Sequence, residues 1–120
     1  DCMIITQTFH VIYDVQSAIR NCHAALKEGG VLLATLPCIS QISRYDMDRW
    51  GEYWRFTDAS AMRIIGDVFG RKNITLDTYG NVLTAVGFLH GVAAGELTKS
   101  ELDETDPDYQ VLIGVRAVKE

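Results

Sequence analysis

Two continuous apolar runs with a helical pattern between them limit this chain to few architectures, and they occupy residues 1–36. The first run, Met3, Ile4 and Ile5, does not alternate with polar residues, so it reads as a strand covered on both faces. Asp14 is a good N-cap, and Val15, Ala18, Ile19, Cys22, Ala25 and Leu26 behind it recur on one helical face. Lys27, Glu28, Gly29 and Gly30 supply the stop, glycine being available for the left-handed conformation that closes a helix. The second run is Val31 to Leu36, and Pro37 ends it. A strand, helix, strand succession makes a right-handed crossover and delivers both strand ends to one edge of a parallel sheet. The polar groups of Thr6, Gln7, Thr8 and His10 are therefore expected beside the segment after Pro37. That is the edge at which open parallel sheets bind ligands.

The segment Cys38 to Thr57 is long for a connection, which argues for function or disorder. Tyr45, Trp50, Tyr53, Trp54 and Phe56 alternate there with Arg44, Asp46, Asp48, Arg49 and Arg55, placing stacking surfaces beside charged groups. It reads either as a lid or substrate wall, or as a small satellite core with arginines pairing aspartates at the surface. Thr57 then caps a helix over Asp58 to Phe69, with Ala61, Met62, Ile65, Val68 and Phe69 facing inward. Asn73 to Tyr79 alternates and reads as a strand nearer an edge. Val82 to Leu97 is apolar nearly all round, with Gly87, Gly91 and Gly95 at four-residue spacing. Its 16 residues fall short of a membrane span, so a buried or dimer-forming helix is expected. An acidic loop, Lys99 to Asp108, leads to a final strand, Tyr109 to Val118.

Composition narrows the classes. With 120 residues, 48% of them hydrophobic, the expectation is one soluble domain with a modest core. The net charge of −5, without a Lys/Arg run, excludes nucleic acid as a partner. Cys2, Cys22 and Cys38 are odd in number and lack metal-ligand spacing, which suggests reduced thiols in a cytoplasmic protein and no metal site. No run is long enough for stable membrane insertion. Asp1 is not an initiator Met and the first strand follows at once, so the chain is expected to be cut: a fragment, a processed product, or a sequence started at an internal boundary.

Five pieces in this order, DCMIITQTFHVIYD, LKEGGVLLATLP, WGEYWRFTDASAM, DTYGN and VLIGVRAVK, resemble the carboxyl-terminal half of a class I S-adenosylmethionine-dependent methyltransferase. The similarity is greatest to small bacterial members found with glycosyltransferases of surface polysaccharide synthesis. In that family the sheet order is 3-2-1-4-5-7-6 with the last-numbered strand antiparallel. The resemblance implies an α/β fold with a partial Rossmann-like sheet, strands four to seven, flanked by helices in a single domain over residues 1–120. The family's glycine-rich turn and its acidic ribose-binding residue are absent from this sequence, so the isolated chain is expected to be inactive.

By the same resemblance, Thr6 and Gln7 are cofactor-binding positions for S-adenosylmethionine, and Tyr53, Trp54 and Arg55 face a small-molecule or glycan acceptor. Arg55 is the candidate for an anionic acceptor group. His10 is the candidate catalytic base, because its ordinary pKa suits proton removal near neutral pH. It equally suits a hydrogen bond to loop backbone, or fixing the cofactor's methionine end. His23 and His90 read as structural. The alternative function is a non-catalytic α/β interaction module that keeps the fold without the cofactor. Because the first strand carries no charge, proline or bulge, a homo-oligomer is expected through that strand, the glycine-spaced helix, or both.

Overall fold

Four strands form one sheet in a computed structural model that describes residues 1–120: β1 (Cys2–Thr6), β2 (Val31–Pro37), β3 (Ile74–Tyr79) and β4 (Leu112–Val118). Their order is β1-β2-β4-β3. β1 runs parallel to β2, whereas β4 is antiparallel to both of its neighbours. This reproduces the order 4-5-7-6, with the final strand reversed. β3 is an edge strand, as its alternation indicated.

The helices begin where side chains can satisfy the first free N–H groups. In α1 (Val15–Ala25), Asp14 accepts from the Ser17 N–H at 3.0 Å. A short α2 (Arg44–Arg49), capped by Ser43, lies inside the long connection that follows β2. In α3 (Asp58–Phe69), Thr57 and Ser60 each bond the other's backbone N–H, a complete capping box. α1 and α3 both cover the same face of the sheet, where Ile19, Leu32, Leu36, Ile65 and Ile113 are fully buried. Each such side chain contributes about 1.5–3 kcal/mol relative to exposure.

The opposite face corrects the first strand's reading. Ile4 is 69% exposed, and Cys2, Thr6, Leu33, Arg116, Thr75 and Asp77 are exposed with it. The register puts Ile4 beside Leu33 and Leu33 beside Arg116, so these residues share one uncovered surface. Only Met3 and Ile5 of the apolar run pack on the core.

A second correction falls on the glycine-rich segment. α4 spans Val82–His90 and no further. Gly91 takes the left-handed conformation (φ 77°, ψ 24°), the Val92 N–H reaches back to Gly87 O at 2.9 Å and the Gly91 N–H to Phe88 O at 3.1 Å. This Schellman closure stops the helix, so Gly91 is a terminator and not part of a packing stripe. Nor is the helix buried: Val82, Leu83, Val86, Phe88 and Leu89 are exposed, and only Ala85 and Gly87 are covered. The expected acidic loop contains α5 (Lys99–Asp103), and the last strand starts at Leu112, not Tyr109. No helix is long and apolar enough to cross a membrane.

Candidate functional site

Just past β1 the backbone makes a left-handed step at Gln7, φ 47°, which an L side chain adopts at a cost. The Gln7 N–H donates to Thr35 O at 3.1 Å and to Thr35 Oγ1 at 3.2 Å, tying the step to the end of β2. A turn of 3-10 helix, Phe9–Val11, then buries Phe9 and His10. The carbonyl of His10 accepts from the Tyr53 N–H at 2.8 Å and the Trp54 N–H at 3.2 Å. The crossover therefore brings the two sheet-end segments together as the sequence suggested, through backbone hydrogen bonds.

Between them opens a cleft of about 510 Å³. Gln7 and His10 line it from the β1 side, Pro37 and Ser43 from the β2 side, and Asp46, Glu52 and the Phe88 ring complete it. Glu52 organises the inner wall. Its side chain is only 4% exposed; Oε2 accepts from the Ser43 N–H at 2.7 Å, and Oε1 accepts from Arg55 Nη2 at 2.7 Å and lies 3.7 Å from His10 Nε2. That last separation is too long for a direct hydrogen bond. His10 Nδ1 is sealed from solvent with no partner. Burial lowers the His10 pKa below its ordinary value, the Glu52 carboxylate opposes this, and the Arg55 guanidinium adds to it. The imidazole is therefore neutral near pH 7.

The six sequence-selected residues divide. Gln7 and His10 line the cleft, while Thr6 lies exposed at the end of β1. Tyr53 and Trp54 do not line it. The Tyr53 hydroxyl donates to Trp50 O, and Trp54 Nε1 donates to Ile12 O at 3.0 Å and Tyr13 O at 3.2 Å. Their rings pack with Tyr13, Trp54 stacked and Tyr53 edge-on, beside a separate hollow of about 470 Å³ that Trp54 and Arg55 line. Arg55 is engaged by the Glu52 carboxylate and the carbonyls of Gln41 and Trp54. Glu52, Ser43, Asp46 and Phe88 were not singled out as site residues. A glutamate three residues before an arginine in an aromatic stretch was the available signal for Glu52. No group of three or more His, Cys, Asp or Glu side chains is arranged to hold a metal ion.

No protein-family model matches this chain, and no curated protein is significantly similar to it. Among solved structures, it superposes on the crystal structure of the [4+2]-cyclase SpnF with a TM-score of 0.56 and 15% identity. The match covers 99% of this chain and 50% of that one, so the chain spans half the cyclase's length. SpnF has a methyltransferase-like fold, and this chain's four-strand mixed sheet with flanking helices has the same architecture. At that identity the likeness defines the fold, not the activity.

Proposed function

We propose that this chain is the acceptor-binding half of an S-adenosylmethionine-dependent methyltransferase acting on a small-molecule or glycan acceptor. The observation that supports it is the polar cleft at the carboxyl ends of β1 and β2, formed by Gln7, His10 and the segment carrying Glu52. One residue present fits one end of the cofactor: Gln7 lines the cleft and its carboxamide oxygen is free to accept, whereas Thr6 lies outside the cleft. Nothing in the chain corresponds to the groups that hold adenosine and ribose in the family. When bound, the cofactor supplies an electrophilic methyl group. Gln7 orients the acceptor. His10 takes its proton at Nε2, the ring nitrogen not sealed from solvent, and Glu52 stabilises the imidazolium that results.

The isolated chain should bind S-adenosylmethionine weakly or not at all by calorimetry, and saturable low-micromolar binding would contradict that. In the longest protein its gene encodes, His10→Ala should lower methyl transfer about 10²-fold or more with little change in cofactor affinity. Unchanged turnover in both His10→Ala and Gln7→Ala refutes the assignment. One observation favours the second reading, a non-catalytic interaction module: the Tyr53 hydroxyl, the Trp54 indole N–H and both terminal nitrogens of Arg55 bond within the chain, leaving only the buried Arg55 Nε without a partner.

A further inference from the structure

Phe88 borders more than the cleft. It and Val111 also line an adjoining hollow of about 270 Å³, whose other walls are Thr84, Val92, Ala94, Leu97 and Leu102. This groove contains no charged side chain, and Thr84 is its one polar residue. Phe88 is 46% exposed and Val92 39%, so an apolar surface runs from the mouth of the polar cleft along the end of α4. The two spaces together remain within the ~300–1,000 Å³ usual for one small-molecule site.

The charge in the cleft restricts the other end of such a ligand. No lysine or arginine lines the cleft, and Arg55, which pairs with the Glu52 wall, also donates to the Gln41 and Trp54 carbonyls. Asp46 makes no side-chain ion pair, and His10 is neutral. An anionic head would face a carboxylate with no free cation to receive it.

We infer that the acceptor is an amphiphile, with an uncharged hydroxylated head in the His10 cleft and an aliphatic tail laid over Phe88 into the α4 groove. This rests on reading the cleft as the acceptor site and adds the substrate class. α4 acts as the tail's platform, which accounts for its exposed apolar residues without a partner helix.

Calorimetry with glucose and an n-alkyl glucoside series, below micelle formation, tests this on the 120-residue chain. Affinity should rise about fourfold per methylene while the tail fills the groove. Val92→Asp, at an exposed position, should flatten that rise, and Phe88→Ser should do the same should the first variant disturb folding. Gln7→Ala should weaken every member alike without changing the slope. Affinity independent of chain length, or a slope that survives both groove variants, overturns the inference. So does light scattering that shows a dimer whose formation excludes the alkyl chains, since the groove then belongs to a second copy. Chain-length independence with Gln7-dependent glucose binding removes the tail site and leaves the acceptor reading standing. The full pattern of binding without methyl transfer by the whole protein removes the methyltransferase reading alone.

Discussion

Arg55→Met is the most informative single change, because it leaves the Glu52 carboxylate buried without a counter-charge. Glu52 is 4% exposed and Arg55 28%, so the carboxylate cannot turn to water while the guanidinium is partly hydrated already. The variant leaves Glu52 with only the Ser43 N–H as partner. Breaking a buried pair from this side costs about 3–5 kcal/mol, and the partial hydration of Arg55 places the expected loss near ~3 kcal/mol. Glu52→Gln preserves shape and the bond from Ser43, and it leaves a cation that water can reach. Its cost should be ~1–2 kcal/mol. The double variant removes both charges, so its loss should fall short of the sum by ~1 kcal/mol or more. Urea midpoints of the four proteins at constant m measure this cycle. His10 offers a second readout by NMR titration: its pKa should fall further in Glu52→Gln and rise in Arg55→Met, since the carboxylate raises it and the guanidinium lowers it. Additive midpoints together with an unmoved His10 would refute the coupling.

Asn81 is buried, caps α4 through the Thr84 N–H, and donates to Glu101 O and Glu104 O at 2.8 Å each. Asn81→Ala should cost ~3 kcal/mol by urea melt, against less than ~1 if the two carbonyls find water instead. Gln7→Gly relieves the positive φ but frees the unfolded backbone, so stability should change by less than ~1 kcal/mol while glucoside binding is lost. Retained binding would show that the side chain is idle. The folded His10 pKa lies below its ordinary 6.5, so the unfolded chain takes up the proton first as pH falls. This contribution is fully present above 6.5 and is lost as pH falls toward the folded value; His10→Asn should flatten that part of the stability profile, and an unchanged slope would place its cause elsewhere. We propose that the bare edge of β1 and the exposed Ile4 support self-association, and Ile4→Lys should lower the molar mass seen by light scattering. A monomeric parent chain would refute that.

The sheet was legible because its determinants are local. Val31 to Leu36 could only be a central strand, and the two glycines before it left no room for a longer helix. The expectation of two covered faces failed for β1 and β2 alike, since a continuous apolar run reports hydrophobicity and not the number of covered faces; Ile4 and Leu33 look like Leu36 in sequence and are exposed in the fold. Val82 to Leu97 failed for a different reason. Three glycines at fixed spacing suggested a packing stripe, but one of them, Gly91, adopts a left-handed conformation.

The site divides along the same line. Its position follows from chain direction: a right-handed crossover had to bring Gln7 and His10 beside the segment after Pro37, and the Tyr53 and Trp54 N–H groups complete that approach on the His10 carbonyl. Its charge does not follow from any count. Residues 44–55 contain three arginines, two aspartates and one glutamate, a count that balances to zero and indicates no sign for the wall. Folding sets Arg44 against Asp48, lays Arg49 over the Tyr45 ring and directs Arg55 onto Glu52. What remains facing the cleft is Asp46 and a neutral imidazole. The electrostatic character of a site is the residue of its internal pairings, and here those pairings turn a neutral count into a cleft lined by carboxylates and no cation.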